Sequence, residues 1–294
     1  MIDAATFQSL RPRLFGIAYR MLGSAAEAED VVQDAWVKSS SPPSDLQSPQ
    51  AWLTTVVTRL SLDRLKAART RREEYVGSWL PEPVPTESIA SAEETASRRE
   101  SVTMAFLVLL ETLSPLERAA FLLREVFDDD YDDVARALET TPRQLVHRAK
   151  GRIAEGRPRY TASPDRQREI VEKFFAAVQG GDLESLESYL AADVVLAADG
   201  GGKVPAARHP VAGAEAVARL LIGVWQKGAR LPEAIEGGWS AALHSINGET
   251  AMVLTLNNEL NTIFVCSTDA ADRVSAIHVV RNPDKLAYLT RALA

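Results

Sequence analysis

The sequence predicts a multidomain chain: two all-α helical domains at residues 1–74 and 92–157, a linker at 75–91, and an α+β domain at 165–294. Three observations carry that expectation. Apolar residues recur at helical spacing between cap residues through the first half of the chain. Two proline-bearing breaks, EEYVGSWLPEPVPTES at 73–88 and EGRPRYTASPD at 155–165, interrupt those helices. Beyond Trp239 the pattern changes to short strand-like runs, AMVLTL, TIFVCS and RVSAIHVV, and helices followed by strands is the order of an α+β domain.

With 294 residues and 46% hydrophobic content the chain can bury several cores, which excludes overall disorder. A net charge of −7 argues against a generic nucleic-acid coat, so any DNA contact must be local and helped by a partner. The single cysteine, Cys266, cannot form an internal disulfide, and no Cys/His cluster spells a zinc site. The longest apolar runs, such as 104–110, are far too short to cross a bilayer, and the N-terminus lacks a signal-peptide core. The expectation is a cytoplasmic protein with no membrane contact, metal or cofactor.

Taken in order, residues 6–22 form an amphipathic helix stopped by Gly23, and Ser24 caps a second helix running to Lys38. Val31, Val32, Ala35 and Trp36 give that helix its apolar face, while Glu27, Asp30 and Asp34 align on the other. Like charges at this spacing cost a few tenths of a kcal/mol per close pair, so the ridge either meets a basic partner or is simply solvated. The loop 39–48 leads to Ser48 and Pro49, a cap and first-turn pair that opens a long helix. Leu53, Val56, Val57 and Leu60 form its buried stripe, and Arg59, Arg64, Lys66, Arg69, Arg71 and Arg72 then face one acid, Asp63. A second basic island, 143–159, sets six Lys and Arg residues against Glu155. One such island reads as a solvated face, whereas two on an acidic chain point to a polyanion.

In the first break Trp79 and Leu80, set among prolines, are too apolar to be left in water, which predicts that the linker lies in a groove. A helix over 92–113 follows. Ser114, Pro115 and Glu117 spell a capping box, with Leu116, Ala120, Leu123, Val126 and Phe127 packing one face as far as the acidic turn 128–130. Residues 131–138 and 141–152 read as a helix-turn-helix. Its second helix turns Leu145, Val146, Ala149 and Ile153 inward and Arg143, Gln144, His147, Arg148, Lys150 and Arg152 outward, and Arg and Gln are side chains that read guanine and adenine edges. A solvated helical hairpin is the bland alternative.

Four segments, DVVQDAW at 30–36, the run from AWLTTVVTRL through WLPEP, SPLERAAFLLREVF and RQLVHRAK, resemble extracytoplasmic-function sigma factors over nearly all of residues 1–160. WLPEP, DGGGK at 199–203 and NPDKL at 282–286 resemble the subgroup with a fused C-terminal SnoaL-like domain. The resemblance implies that Asp30, Gln33, Asp34 and Trp36 dock on the β′ clamp helices of core RNA polymerase. It also implies that the basic helix and the 39–48 loop engage the minus-ten promoter element, and that the helix-turn-helix reads the minus-thirty-five element. Opening ten base steps costs on the order of 14 kcal/mol at about 1.4 per step, so the chain is not expected to melt DNA alone. One departure stands out: about three residues are missing before RQLVHRAK, which shortens and rotates the helix expected to enter the major groove.

In the C-terminal domain, Ile170, Val171, Phe174, Phe175 and Val178 define a helix ended by Gly180 and Gly181, and Asp182 caps the next. A short strand over 194–197 and a helix striped by Val217, Leu220, Leu221, Val224 and Trp225 follow. The order resembles the cone of SnoaL and the ketosteroid isomerases, whose pocket leaves room for a small ligand or an enzyme. Alternation in RVSAIHVV puts Val274, Ala276, His278 and Val280 on one face, so His278 is either a pocket-lining base or a satisfied semi-buried histidine. Asp193, Asp199 and His209 make no catalytic set, and DGGGK lacks the spacing of a phosphate loop. Its glycines permit positive φ and close backbone approach. A regulatory interdomain contact is expected among Trp79, Leu80, Pro81, Asp199, Gly200, Gly201, Gly202, Lys203, Asn282, Pro283, Asp284 and Lys285. The functional expectation is a sigma factor regulated in cis, with core polymerase and promoter DNA as partners and no anti-sigma partner inferable. The alternative is a ligand-binding or enzymatic SnoaL-like protein carrying a DNA-binding module.

Overall fold

The computed structural model describes residues 2–89, 101–156, 163–229 and 238–293. The chain divides into two compact units, one formed by residues 1–74 and 87–157, the other by Tyr75–Thr86 together with residues 158–294. The first part of the expected linker, residues 75–86, therefore belongs to the same unit as the C-terminal domain, and the remainder to the helical unit.

The first unit is helical. Helix α1 (Ala4–Leu22) starts earlier than its apolar pattern suggests because Asp3 accepts the Thr6 N–H, and it stops at Gly23, where φ is 67°. Helix α2 (Ala25–Lys38) is capped by Ser24 as expected, and α3 (Pro49–Glu73) begins with the Ala51 N–H on Ser48 Oγ at 3.2 Å. Leu53 and Val57 are fully buried, but the deeper part of the α3 face is Thr54, Thr58, Ser61, Leu62 and Leu65, while Val56 and Leu60 are only half-buried.

Of the helix expected over 92–113, the described part is α5 (Met104–Leu110), preceded by the short α4 (Thr86–Ile89); residues 92–100 lie outside the described residues. In α6 (Pro115–Phe121) both halves of the Ser114–Glu117 capping box form. A π-helical turn, Leu122–Val126, follows, and Leu116 proves 38% exposed rather than packed, because it stands on the outward side of the first turn. Helices α7 (Tyr131–Leu138) and α8 (Pro142–Gly156) complete the hairpin, joined through Glu139 at φ 53°. Although α8 starts directly before Arg143, it reaches 15 residues by continuing past Arg152.

Four arginines tie the two helical halves of this unit together. Arg13 pairs with Asp129 at 2.5 Å and lies 5.1 Å from the Phe127 ring centre, with Arg20 over the same ring at 5.3 Å. Arg118 NH1 donates to the Met21 carbonyl at 2.7 Å, and Arg59 caps the last turn of α7 by donating to the Arg136 and Ala137 carbonyls.

The second unit places α9 (Pro164–Gly180), α10 (Leu183–Ser188) and α11 (Ala214–Ala229) on one face of a six-stranded sheet ordered β2-β1-β6-β5-β4-β3. The strands are β1 (Leu190–Asp199), β2 (Val211–Ala212), β3 (Trp239–Ile246), β4 (Glu249–Leu256), β5 (Glu259–Thr268) and β6 (Val274–Val280). Among the described strands, β1 and β6 alone pair in parallel. Val224 of α11 is 53% exposed, so that stripe is narrower than its periodicity implies. A closing helix, α12 (Pro283–Leu293), starts inside NPDKL and lies against β5.

Under the helices the core is filled by apolar side chains, with Phe175 edge-on to both Phe174 and Phe264 at 5.1 and 5.4 Å. His278 does not line this interior. Ile277 and Val279 face it, so His278 projects from the opposite side of the sheet with Ala276 and Val280. A register shift at Ser267/Thr268 breaks the alternation and returns Val274 to the Ile277 face. Among the described residues its Nδ1 is buried without a hydrogen-bond partner, and burial lowers its pKa to about 4.

Candidate functional site

The linker site centres on one buried carboxylate. Asp199 ends β1 with its side chain fully enclosed, and its two oxygens collect four donors. Oδ1 accepts from the Tyr75 hydroxyl at 2.5 Å and the Gly201 N–H at 3.0 Å; Oδ2 accepts from the Leu80 N–H at 2.9 Å and Lys285 Nζ at 2.6 Å. Lys285 is equally buried, donates also to the Leu80 carbonyl, and lies 4.1 Å from the Trp79 ring centre and 4.9 Å from that of Tyr75. Its ammonium thus exchanges water for a carboxylate, a carbonyl and two aromatic faces, the compensation a buried charge requires. Burial first, and then the hydrogen bond to Asp199, push the Tyr75 hydroxyl pKa far up, so it stays a donor.

The motifs interlock around this pair. Asn282 donates to the Tyr75 hydroxyl at 2.8 Å and accepts the Asp284 N–H, while Lys203 pairs with Asp284 at 2.5 Å. Gly201 has φ 60°, and a Cβ there would stand 2.3 Å from the Asn282 side chain; a Cβ on Gly200 would meet the Val204 carbonyl at the same distance. The glycines are therefore required by close approach, as the sequence implied. Leu80 is buried and Trp79 half-buried, and further along Val84 exchanges hydrogen bonds with Asn247, at 3.0 and 3.1 Å. A cleft of about 330 Å³ lies between Val76–Gly77 and the 198–208 loop.

On α2, Asp30, Gln33, Asp34 and Trp36 are exposed, with Trp36 edge-on to Phe7 at 4.8 Å. On α3, Lys66 is exposed, Arg59 is committed to α7, and Arg64 reaches back to Asp30 and Asp34. The backbone of α3 runs through Arg69, Arg71 and Arg72, whose side chains lie outside the described residues.

The outward face of α8 splits in two. Gln144 and His147 are exposed, and Arg143 lies over the Tyr131 ring at 5.1 Å. Arg148 and Arg152 instead hold Glu117 at 2.9 and 3.0 Å, and Lys150 pairs with Glu125 at 2.7 Å. Burial would raise the Glu117 pKa, but hydrogen bonds from Arg148 and Ser114 outweigh it and bring it to about 2. The capping-box glutamate thus also anchors the last helix of the hairpin. Sequence reading missed this because Glu117 had already been given a role three residues away.

Sequence comparison now decides between the two readings of the chain. The Sigma-70 region 2 family matches residues 6–71 and the Sigma-70 region 4 family matches residues 103–153. The chain is 36% identical over 298 aligned residues to the ECF RNA polymerase sigma factor SigJ of Mycobacterium tuberculosis, covering 97% of this chain and 93% of that one. It belongs to the ECF sigma factors. The probable ECF sigma factor SigI of M. tuberculosis is 30% identical over 290 residues, covering 96% of this chain and 94% of that protein. The crystal structure of SigJ matches with a TM-score of 0.74 at 32% identity, covering 97% of this chain and 99% of SigJ. The function of this sigma factor is promoter recognition and transcription initiation. The enzyme alternative is not favoured, and no helix among the described residues is long and apolar enough to cross a membrane.

Proposed function

We propose that this ECF sigma factor docks on core RNA polymerase through the exposed ridge of Asp30, Gln33, Asp34 and Trp36. Lys66, the basic end of α3 and the 39–48 loop then serve the minus-ten element, and Arg143, Gln144 and His147 the minus-thirty-five element. Arg148 and Lys150 are better read as anchors of α8, since their charges are already paired. The C-terminal domain regulates initiation in cis. The observation that carries this reading is the buried Asp199–Lys285 pair closed over the Leu80 backbone, which builds the connection between the two helical modules into the C-terminal unit.

The docking half is tested by reversing the ridge. Asp30→Arg with Asp34→Arg is expected to abolish binding to core polymerase in a pull-down at moderate salt while leaving the helical circular dichroism unchanged, because both acids are exposed and exposed charges contribute little to stability. Undiminished binding would reject the ridge as the docking surface.

A further inference from the structure

Arg64 belongs by sequence to the cationic arm, yet its guanidinium turns away from that arm. NH1 donates to the Glu27 carbonyl and to Asp30 Oδ2, both at 3.3 Å, and NH2 donates to Asp34 Oδ2 at 2.8 Å. One planar fork therefore spans two carboxylates a helical turn apart, from a neighbouring helix, and is itself fixed by a backbone carbonyl. Asp30 and Asp34 sit at i and i+4, where two negative charges repel and each side chain is free to swing off the ridge. A guanidinium between them removes the repulsion and gives both a common direction. It does so without covering them: the acid side chains keep 65% and 51% of their exposure, and the fork uses one oxygen of each.

We infer that Arg64 is a positioning residue of the polymerase-docking ridge, not a promoter-phosphate contact, and that it presents Asp30 and Asp34 to basic groups on the polymerase. The inference rests on the docking reading proposed above. A lysine does not replace it, because an ammonium on a flexible stem is a point charge without the planar fork that fits two carboxylates at once.

The test uses the full chain with core polymerase and, separately, the holoenzyme with promoter DNA across a salt series. Arg64→Ala is expected to weaken core binding about tenfold at 0.1 M salt, and Arg64→Lys, which keeps the charge and protects against a simple folding defect, to recover only part of that loss. In an Asp34→Asn background Arg64→Ala should add little, since the two residues act as one unit. Promoter binding by assembled holoenzyme should keep its log–log salt slope. The inference is overturned if Arg64→Ala leaves core affinity intact while that slope falls by about 0.9, the signature of a lost phosphate contact. It is also overturned if the effects of Arg64→Ala and Asp34→Asn simply add. The Asp30→Arg, Asp34→Arg variant separates the two levels. If that variant loses core binding and Arg64→Ala does not, only the role of Arg64 fails; if neither does, the ridge reading fails.

Discussion

At the scale of single residues, what makes His278 unusual is a buried Nδ1 that no described residue meets. Its folded pKa of about 4 lies below the ordinary 6.5, so between those values the unfolded chain binds the proton and the folded chain does not. Stability from the neutral imidazole is complete above about pH 6.5 and is lost as pH falls toward 4. A shift of this size corresponds to roughly 3 kcal/mol at the acid end. His278→Met, close in volume and apolar, is expected to flatten the fall in urea midpoint between pH 6.5 and 4.5. An unchanged pH profile would assign the loss to other groups.

At the scale of elements, the linker is held by a network centred on the buried Asp199–Lys285 pair. Lys285→Met leaves Asp199 without its counter-charge, a loss of roughly 3–5 kcal/mol for a buried pair. The backbone donors of Leu80 and Gly201 remain, so the expected outcome is release of the linker rather than unfolding of the sheet. With the other four tryptophans replaced by Phe, Trp79 reports it: its fluorescence should shift to the red and its quenching by iodide rise. Gly201→Val should do the same by steric means, since its Cβ collides with Asn282. Both variants should change promoter-dependent transcript yield while core affinity stays within about twofold. A buried, unquenched Trp79 in both would show that the network does not hold the linker.

At the scale of the molecule, the two DNA-reading modules lie in one compact unit closed by the Arg13, Arg20, Arg59 and Arg118 contacts. A compact body of that length has a radius of gyration of roughly 15 Å. Promoter elements centred 10 and 35 base pairs upstream are separated by about 25 pairs, or roughly 85 Å of DNA at 3.4 Å each. On the proposed assignment of α3 and α8 to the two elements, the closed unit is too short to touch both, and opening is the expected outcome when the holoenzyme meets its promoter. Because Cys266 is buried, cysteines introduced at Ser40 and Gly151, both exposed, can be labelled selectively. The distance between the labels should lengthen by tens of Å in the promoter complex, and Arg13→Ala with Arg59→Ala should populate the longer distance in the free chain. A distance that stays short in the promoter complex would mean that one element is read at a time.

Much of this was legible in the sequence because it is local. Caps, periodicity and turn residues placed α2, α3 and α7 and the start of α6 within a residue or two, and the resemblance of WLPEP, DGGGK and NPDKL to the SnoaL-fused subgroup pointed to the linker site. Helical spacing also grouped Arg64 with the promoter arm, and strand alternation grouped Val274 with His278. Those assignments changed because a guanidinium reaches several ångströms past its own helix and a single bulge flips the face of every residue beyond it. Asp199 was expected at the linker contact, but its burial was not legible, because a buried carboxylate is defined by donors that arrive from residues 75, 80, 201 and 285. Local pattern alone was enough to place most of the helices and strands and to carry the family resemblance. Which charges remain free for polymerase and DNA was decided only by the tertiary structure, since pairing depends on distances between side chains far apart in the chain.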